Sequence, residues 1–329
     1  MSLPTPQEIA FINRFQGSFP LVERPYQAMA EEIGLDETSL IELIDQLLVK
    51  GILTRFGPSF DASRLDGELT LAALTAPEAR YDQIADIVNL IPQVAHNYRR
   101  DHDLNMWFVI SSLEKGGVAR CIDEIEQATE LKVYNFPKQR EFYLGLWLHL
   151  HQDGRIDTIP APFIPAADSG GALNELDRAI INETQGGMPL EPRPFDQLAR
   201  RLEAPAEAVI DRMHYMLGNG SIRRIGAFPN HYRLGLRGNG MTVWDVPDEH
   251  VEEVGRRLGE LDYVSHCYER VRYPDIWAYN LFAMVHGRDR AEAAAKAEKI
   301  AELLGDHCRS YDILYSSAVL KKTGLRTAA

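Results

Sequence analysis

Cysteine is scarce in this chain of 329 residues: Cys121, Cys267 and Cys308 are scattered, with no C-x-x-C pair. That excludes a disulfide framework and a zinc or iron–sulfur site held mainly by thiolates, and it points to a reducing compartment. Long apolar runs are missing too; nothing approaches the roughly 18 consecutive apolar residues of a membrane span. The start, MSLPTPQEIAFINRF, has no basic segment followed by an apolar one, so no secretory leader is expected and the expected location is the cytoplasm. Positive charge is in deficit. Lys and Arg total 35 against 48 Asp and Glu, a net charge of −13, which is opposite to the usual balance of a chain that lives on nucleic acid. No G-x-G-x-x-G, Walker loop, H-E-x-x-H or G-x-S-x-G occurs, so the common nucleotide, metallopeptidase and serine-hydrolase signatures are absent. What remains is an ordinary globular mixture, 45% hydrophobic and 25% charged, long enough for at least two domains.

The chain repeats itself. FQGSFPLVERPYQAMA (15–30) and TQGGMPLEPRPFDQLA (184–199) share seven of sixteen residues, from Gln16/Gln185 to Ala30/Ala199. Chance supplies about one identity over that length. The correspondence continues through KGILTRFG (50–57) and NGSIRRIG (219–226), then VAHNYRR (94–100) and VSHCYER (264–270), then NMWFVIS (105–111) and NLFAMVH (280–286). Two copies of about 150 residues are therefore joined by a Pro/Gly/Ala-rich segment around 157–171.

Within copy one, apolar residues recur at three- and four-residue steps over 6–16, 25–33 and 38–49, predicting three short helices. Asp36 or Thr38 caps the third helix and Gly51 stops it. Strand-like pieces at 52–56 and near 60–64 then predict a hairpin wing, completing a winged helix-turn-helix. The rest alternates strand 68–76, helix 81–91, strands 94–100 and 105–111, helix 117–130 and strand 132–144, and copy two repeats the order. The expected fold class is α+β: a tandem duplication of a winged helix-turn-helix followed by a ferredoxin-like βαββαβ domain. The expected boundaries are 1–65 and 66–150 for copy one, 151–172 for the linker, and 173–236 and 237–329 for copy two.

A winged helix ahead of such a domain resembles the Lrp/AsnC regulators, but the recognition helices oppose DNA binding. In copy one Asp36, Glu37, Glu42 and Asp45 face a single Lys50, and in copy two Arg212 stands against Glu207 and Asp211. A polyanion would be repelled by such helices. RFG and RIG at equivalent places favour shared anion binding by Arg55, Arg223 and Arg224 over plain surface solvation.

The most informative strings are HNYRRDHDLNMWF (96–108) and HCYERVRYPDIWAYNLF (266–282). His96 and His266 correspond, each with Tyr at +2 and Arg at +4, so strand alternation sends His96, Tyr98 and Arg100, or His266, Tyr268 and Arg270, to one face. Arg99 and Arg272 add charge nearby. If Val264 lies opposite His286, then His266 lies opposite Met284 and both imidazoles share a face; a slip of one residue would separate them. Copy one has Ser111 where copy two has His286, so the C-terminal copy is expected to be the better equipped. Imidazoles near neutrality serve as acid and base or as ligands of a metal or haem iron. Arginines take carboxylates bidentately, and Trp107, Trp277 and Phe282 offer flat apolar surface. These residue types suit a large planar polycarboxylate. GLRGNG (235–240) precedes a strand and reads as a turn, and Cys267 alternates into the core.

VAHNYRRDHDLNMWFV and VSHCYERVRYPDIWAYNLFAMVHG, each behind a helix-turn-helix with RFG or RIG, resemble the siroheme decarboxylases, Lrp/AsnC-like proteins without a regulatory role. The resemblance covers nearly the whole chain and matches the fused form of what is elsewhere a heterodimer. It implies a carboxy-lyase of haem d1 biosynthesis that converts siroheme to 12,18-didecarboxysiroheme by loss of two acetate carboxyl groups. No added cofactor is implied, since the iron belongs to the substrate and the protonated pyrrole is the electron sink. His266, His286 and His96 are the expected catalytic residues, with His266 or His286 a candidate iron ligand. Tyr98, Arg99, Arg100, Tyr268, Arg270, Arg272, Arg55, Arg223 and Arg224 are the expected substrate contacts. Expected partners are siroheme and other haem d1 proteins, with no nucleic acid and no membrane. The internal pseudo-heterodimer is open to further dimerisation. An Lrp/AsnC-type transcriptional regulator and a tetrapyrrole-binding sensor or carrier are the alternatives.

Overall fold

The computed structural model describes residues 4–61, 64, 67–112, 114–161 and 172–322. Copy one opens with helices α1 (Pro6–Arg14), α2 (Pro25–Ile33) and α3 (Glu37–Val49). The Arg–Pro pair repeated in both copies is a helix start. Pro25 begins α2 and Pro194 begins its counterpart, where a proline's missing N–H costs nothing. The Asp36 carboxylate accepts from Ser39 N and caps α3, and Gly51 just beyond its end has φ +67°.

The wing differs from expectation. Among the described residues, strand β1 (Leu53–Phe60) forms no hairpin within its own copy; residues 62 and 63 lie outside the described residues, and Asp61 and Arg64 are in no strand. The rest of copy one is β2 (Glu68–Leu74), α4 (Tyr81–Leu90), β3 (Val94–Arg100), β4 (Met106–Ser112), α5 (Gly117–Thr129) and β5 (Tyr134–Leu144). Next, β6 (Trp147–Leu150) and β7 (Ile156–Ile159) pair as a hairpin in what reads from sequence as the end of a domain and the start of a linker. The hairpin is fixed to α1 by Asn13 and Gln16, whose side-chain amides bond both ways with the backbones of Leu150 and Leu148. Residues 162–171 of the expected linker lie outside the described residues.

Copy two runs α6 (Glu175–Thr184), α7 (Pro194–Leu202), α8 (Ala206–Gly218), β8 (Ile222–Pro229), the single turn α9 (His231–Leu234), β9 (Gly240–Asp245), α10 (Val251–Gly259), β10 (Val264–Arg270), β11 (Leu281–Val285), α11 (Arg290–Leu304) and β12 (Ser310–Lys322). β8 is the partner of β1: the two single-strand wings pair antiparallel across the copies, with Gly57 opposite Gly226. Both glycines are where the other copy's backbone crosses. Ala227 N donates to Phe15 O and Met188 N to Phe56 O. A β-carbon on Gly226 would run into the Phe15 carbonyl, and Gly57 (φ +154°) faces Met188 N in the same way. The two helical units share one apolar core, in which Phe19 of copy one lies 6.4 Å from Phe195 of copy two and the Tyr26 hydroxyl donates to Pro189 O.

Each βαββαβ unit has the ferredoxin-like strand order, β3-β4-β2-β5 and β10-β11-β9-β12. The two sheets are joined at both edges, β12 to β3 and β5 to β10, into a closed eight-stranded antiparallel barrel. Closure removes every exposed edge, and alternation along each strand then sorts residues into barrel interior and barrel exterior. The helices cover the outside: α4 and α5 pack over one set of buried residues that includes Ile84, Val88, Phe108 and Ile125, and α10 and α11 over another that includes Val254, Leu258, Trp244 and Ile300. Inside, Trp107, Phe136, Trp277 and Phe282 form a separate cluster.

Replacing Gly226 by Ala forces a methyl group against backbone that cannot yield. An equilibrium unfolding free energy lower by about 2–3 kcal/mol is expected. Gly218→Ala, at a helical position with nothing within 4 Å, should leave stability equal or raise it by up to about 1 kcal/mol. Equal urea midpoints for the two variants would show that the crossing is not a tight constraint.

Candidate active site

One cavity of about 220 Å³ opens inside the barrel, and both copies build it. Copy one contributes Tyr98 and Arg100 from β3 with Trp107 and Val109 from β4; copy two contributes His266, Phe282, Met284 and His286, and β9 and β12 add Met241 and Leu314. His231 and Tyr232 of α9, with Asn239 before β9, close the chamber's rim. Strands four places apart in an antiparallel barrel run the same way, so β3 and β10 enter from the same end and His96 and His266 lie at that end. The opposite end is filled by the β10–β11 connection. Its Trp277 stacks on Phe282 at 5.8 Å and meets Trp107 at 4.9 Å. Trp277 is 2% exposed and Phe282 is fully buried. Trp277 is thus packed core, and of the three expected aromatic surfaces only Trp107 and Phe282 reach the chamber.

The histidine register follows expectation at one pair and departs at the next. His266 lies opposite Met284, but Val264 pairs with Val285 rather than His286, because a β-bulge falls between Val264 and His266. The same bulge occurs between Val94 and His96 of copy one. A bulge sets two consecutive residues against one partner and re-aims a side chain. Here it brings Ser265, which simple alternation assigns to the other face, between the two imidazoles. Ser265 Oγ is 2.6 Å from His266 Nδ1 and 2.6 Å from His286 Nε2. His286 Nδ1 is 2.6 Å from Asn239 Oδ1, and its ring lies 5.1 Å from that of His231. Both nitrogens of His286 are thereby occupied, leaving none for iron. His266 Nε2 has no hydrogen-bond partner among the described residues, and its ring lines the chamber. Asn239 is held by the turn that reads as GLRGNG: its Nδ2 donates to Leu236 O, and Gly238 N donates to Gly287 O. A β-carbon at Gly238 would collide with the Asp289 backbone, so the glycine permits the approach that puts Asn239 against His286.

The expected substrate contacts separate. Tyr98 and Arg100 line the chamber. Arg270 occupies the equivalent place on β10 and donates to Phe136 O, as Arg100 donates to Leu314 O, but it lies behind Phe282. Burial pushes both guanidinium pKa values down to about 10, and no carboxylate pairs with either among the described residues. Both Nε atoms are buried without a hydrogen-bond partner among the described residues. Tyr268 is buried beside His266, and burial raises its pKa. Arg224 donates to Leu146 O, just behind the chamber wall, and stacks with Arg55 on Phe228. Burial lowers the Arg224 pKa to about 10. Arg55 donates to Gln185 O.

Three of the expected arginines are engaged elsewhere. Arg223 is paired with Glu141 and Asp61, both at 2.7 Å, so its charge is already matched. Arg99 alternates to the barrel exterior, where it binds Glu78 and stacks on Tyr81 at 4.2 Å. Arg272 clamps the plug loop through Asp245 and the carbonyls of Val246 and Ala278. His96 lies 6.2 Å from Tyr98 and does not line the chamber; Ala95 and Ser111 stand where copy two has Ser265 and His286. Cys267 packs in the core beneath α10, as alternation predicts. Ser265, Asn239, His231 and Tyr232 escaped the sequence reading. The one available signal was VAH against VSH.

Known proteins now place the chain. A model described as the siroheme decarboxylase NirDL-like HTH domain matches residues 8–53 and 177–223, and the AsnC-like ligand binding domain matches 68–143 and 233–321. The siroheme decarboxylase of Hydrogenobacter thermophilus is 33% identical over 94% of this chain and 92% of its own length. The chain belongs to the siroheme decarboxylase family. Within that family, the NirH subunit of Paracoccus pantotrophus is 50% identical over 47% of this chain and 96% of itself. The crystal structure of the siroheme decarboxylase NirDL superposes with a TM-score of 0.73 at 28% identity, covering 98% of this chain and 94% of that one. A second NirDL structure, in complex with an iron-uroporphyrin III analogue, gives 0.70.

Against the expectation of imidazoles that titrate near neutrality, this family member holds His266 and His286 neutral. Burial, with smaller contributions from Arg223 and Arg270 against an opposing one from Glu141, lowers His266 to about 4, and His286 is pushed well below its ordinary value. An unfolded histidine near 6.5 binds a proton that folded His266 refuses between about pH 6.5 and 4. Stability is therefore complete above pH 6.5 and falls as the pH drops through that window. His266 alone should account for about 1–2 kcal/mol between pH 7.5 and pH 5. In His266→Asn the decline in urea-unfolding free energy should shrink by that amount. An equal decline in both chains would remove His266 as its cause.

Proposed function

We propose that the barrel chamber is where this chain removes carboxyl groups from siroheme, as a carboxy-lyase that needs no added cofactor. The observation that carries the reading is a buried cation without a counter-ion. Arg100 points into the chamber with no carboxylate partner among the described residues, and Arg270 stands in the same condition one layer behind. An uncompensated buried charge is unfavourable in the empty protein, and an anionic ligand removes the penalty. A guanidinium is suited to a carboxylate, and the net −13 charge of the chain makes this inner positive potential a local construction.

The size of the chamber supports an edge-on binding mode. At about 220 Å³ it is below the roughly 300–1,000 Å³ of sites that engulf a drug-sized ligand. The macrocycle therefore lies across the barrel mouth and inserts one edge, a pyrrole with its acetate. Arg100 and Tyr98 hold a carboxylate, with Arg224 behind the wall at Leu146. The apolar flank of Met241, Met284 and Phe282 strips water from the reacting group. Each cycle breaks one carbon–carbon bond, releases carbon dioxide and consumes one proton at the methylene carbon. His266 Nε2, the open nitrogen at the chamber, delivers that proton. The substrate's carboxylates bring negative charge beside His266 and raise its proton affinity from the depressed value of the empty site.

Two losses complete the conversion to 12,18-didecarboxysiroheme in haem d1 formation. Partners are then enzymes that supply siroheme and accept the product. The named NirH and NirG subunits of relatives align with about half of this chain, in keeping with a fused pair that provides its own partner. DNA binding is disfavoured further because Arg212, the best-placed cation of the second recognition helix, is locked to buried Asp177 at 2.5–2.8 Å.

Anaerobic incubation with siroheme, followed by mass spectrometry of the extracted tetrapyrrole, should show loss of two carboxyl groups; siroheme recovered unchanged would favour a carrier or sensor. Arg100→Met should weaken siroheme binding at least tenfold by absorbance titration and also stabilise the empty protein by about 1 kcal/mol or more. Arg99→Gln, on the barrel exterior, should change binding little. If Arg100→Met binds siroheme as the parent does, the anchor assignment is wrong.

A further inference from the structure

The orientation of one amide fixes the protons in the histidine pair. Asn239 Nδ2 donates to Leu236 O at 2.8 Å, so its Oδ1 is the atom facing His286. An amide oxygen only accepts, so His286 Nδ1 carries the hydrogen across that 2.6 Å contact. Neutral His286 then has a lone pair on Nε2, and the Ser265 hydroxyl 2.6 Å away must donate to it. With its single hydrogen committed, Ser265 Oγ can only accept from His266, so Nδ1 of His266 is protonated. The lone pair of His266 is left on Nε2, facing the chamber. Every hydrogen bond in the chain Leu236–Asn239–His286–Ser265–His266 runs in one direction. Reversing it would set lone pair against lone pair at Asn239.

We infer that Ser265 is a positioning residue that couples His266 and His286 into one proton-transfer unit, in which the two rings share an incoming proton and His266 Nε2 delivers it. The inference rests on the decarboxylase reading for the identity of the acceptor carbon. A proton taken up at His266 Nε2 makes that ring cationic. Shifting the Nδ1 hydrogen to Ser265, and the serine hydrogen to His286 Nε2, lets His286 share the charge: its Nδ1–H remains satisfied by Asn239, while His231 beside its ring and Lys296 at its carbonyl keep the larger share on His266. When carbon dioxide leaves, the electron pair of the broken bond takes the proton from His266 Nε2. The two hydrogens slide back, and His286 returns to neutral. One proton is consumed per carbon dioxide, and no redox partner is required. Copy one has the same bulge but carries Ala95 and Ser111 at these two places, so it lacks both the bridge and the second ring.

Two measurements decide this. Two-bond proton–nitrogen correlation spectra of the empty full-length protein, with labelled histidine, should show His266 and His286 both as the Nδ1–H tautomer; His286 as the Nε2–H tautomer would overturn the direction of the chain whatever the activity. In Ser265→Ala, siroheme binding and KM should stay within about threefold while kcat falls at least tenfold, and the pH profile of kcat should lose its dependence on a second ionisation. Ser265→Ala with the parent's kcat and pH profile overturns the coupling. If the parent chain itself leaves siroheme unchanged, the decarboxylase reading fails, while the tautomer spectrum still tests the pair.

Discussion

Closure of the barrel is the constraint on which the site depends. Each four-stranded sheet taken alone has helices on one face, an exposed second face and two open edges. Pairing β12 with β3 and β5 with β10 satisfies those edges and turns the two exposed faces inward. The His-Tyr-Arg faces of β3 and β10 thereby become the lining of one interior. Residues of opposite copies meet there: Tyr98 and Arg100 from the first with His266 and His286 from the second. The β1–β8 ladder repeats the arrangement in the helical units, tying two half-wings into one sheet. The copies are interlocked twice, and neither can build the chamber alone.

Electrostatics inside the closed barrel follow from the same geometry. An eight-stranded barrel has room for side chains and a small guest. Trp107, Phe136, Trp277 and Phe282 fill one end, where Arg270 lies against Phe282 and the Phe136 carbonyl, while Arg100, His266 and His286 line the chamber. Low polarity depresses the arginines and both histidines in the same direction, toward their neutral forms. Arg223, by contrast, has two carboxylates, and its pKa is raised despite burial. The comparison separates an arginine that has its partner in the fold from Arg100 and Arg270, which have none among the described residues.

Much of this was legible in the sequence. Element order, the strand faces and the duplication follow from periodicity and self-similarity, and the His266–Met284 pairing came out as assumed. What stayed hidden has physical reasons. The wing hairpin was expected because local sequence cannot distinguish a strand that turns back from one that pairs with a partner 169 residues away. The barrel was hidden because sheet edges are satisfied non-locally. Arg99 and Arg272 looked like site residues by proximity in the chain, yet alternation sends the first outside and the plug loop consumes the second. Ser265 stayed hidden because period-two alternation points it away from the His266 face, and that alternation fails at a bulge, where one extra residue breaks it.

The bulge by itself does not decide why the duplicated chain carries one furnished site. It is present at Val94–His96 as well as Val264–His266, so the backbone device is common to both copies and the difference lies in side chains. With both histidine strands entering from the same end, two fully equipped chambers would open side by side, and one macrocycle lying across the mouth would obstruct both. On the proposed reading, proton chemistry on β10 and a carboxylate anchor on β3 let a single insertion of the ring edge engage both copies. A fused chain suits that division of labour, because it supplies one Arg100 half and one His266 half together, at high effective concentration.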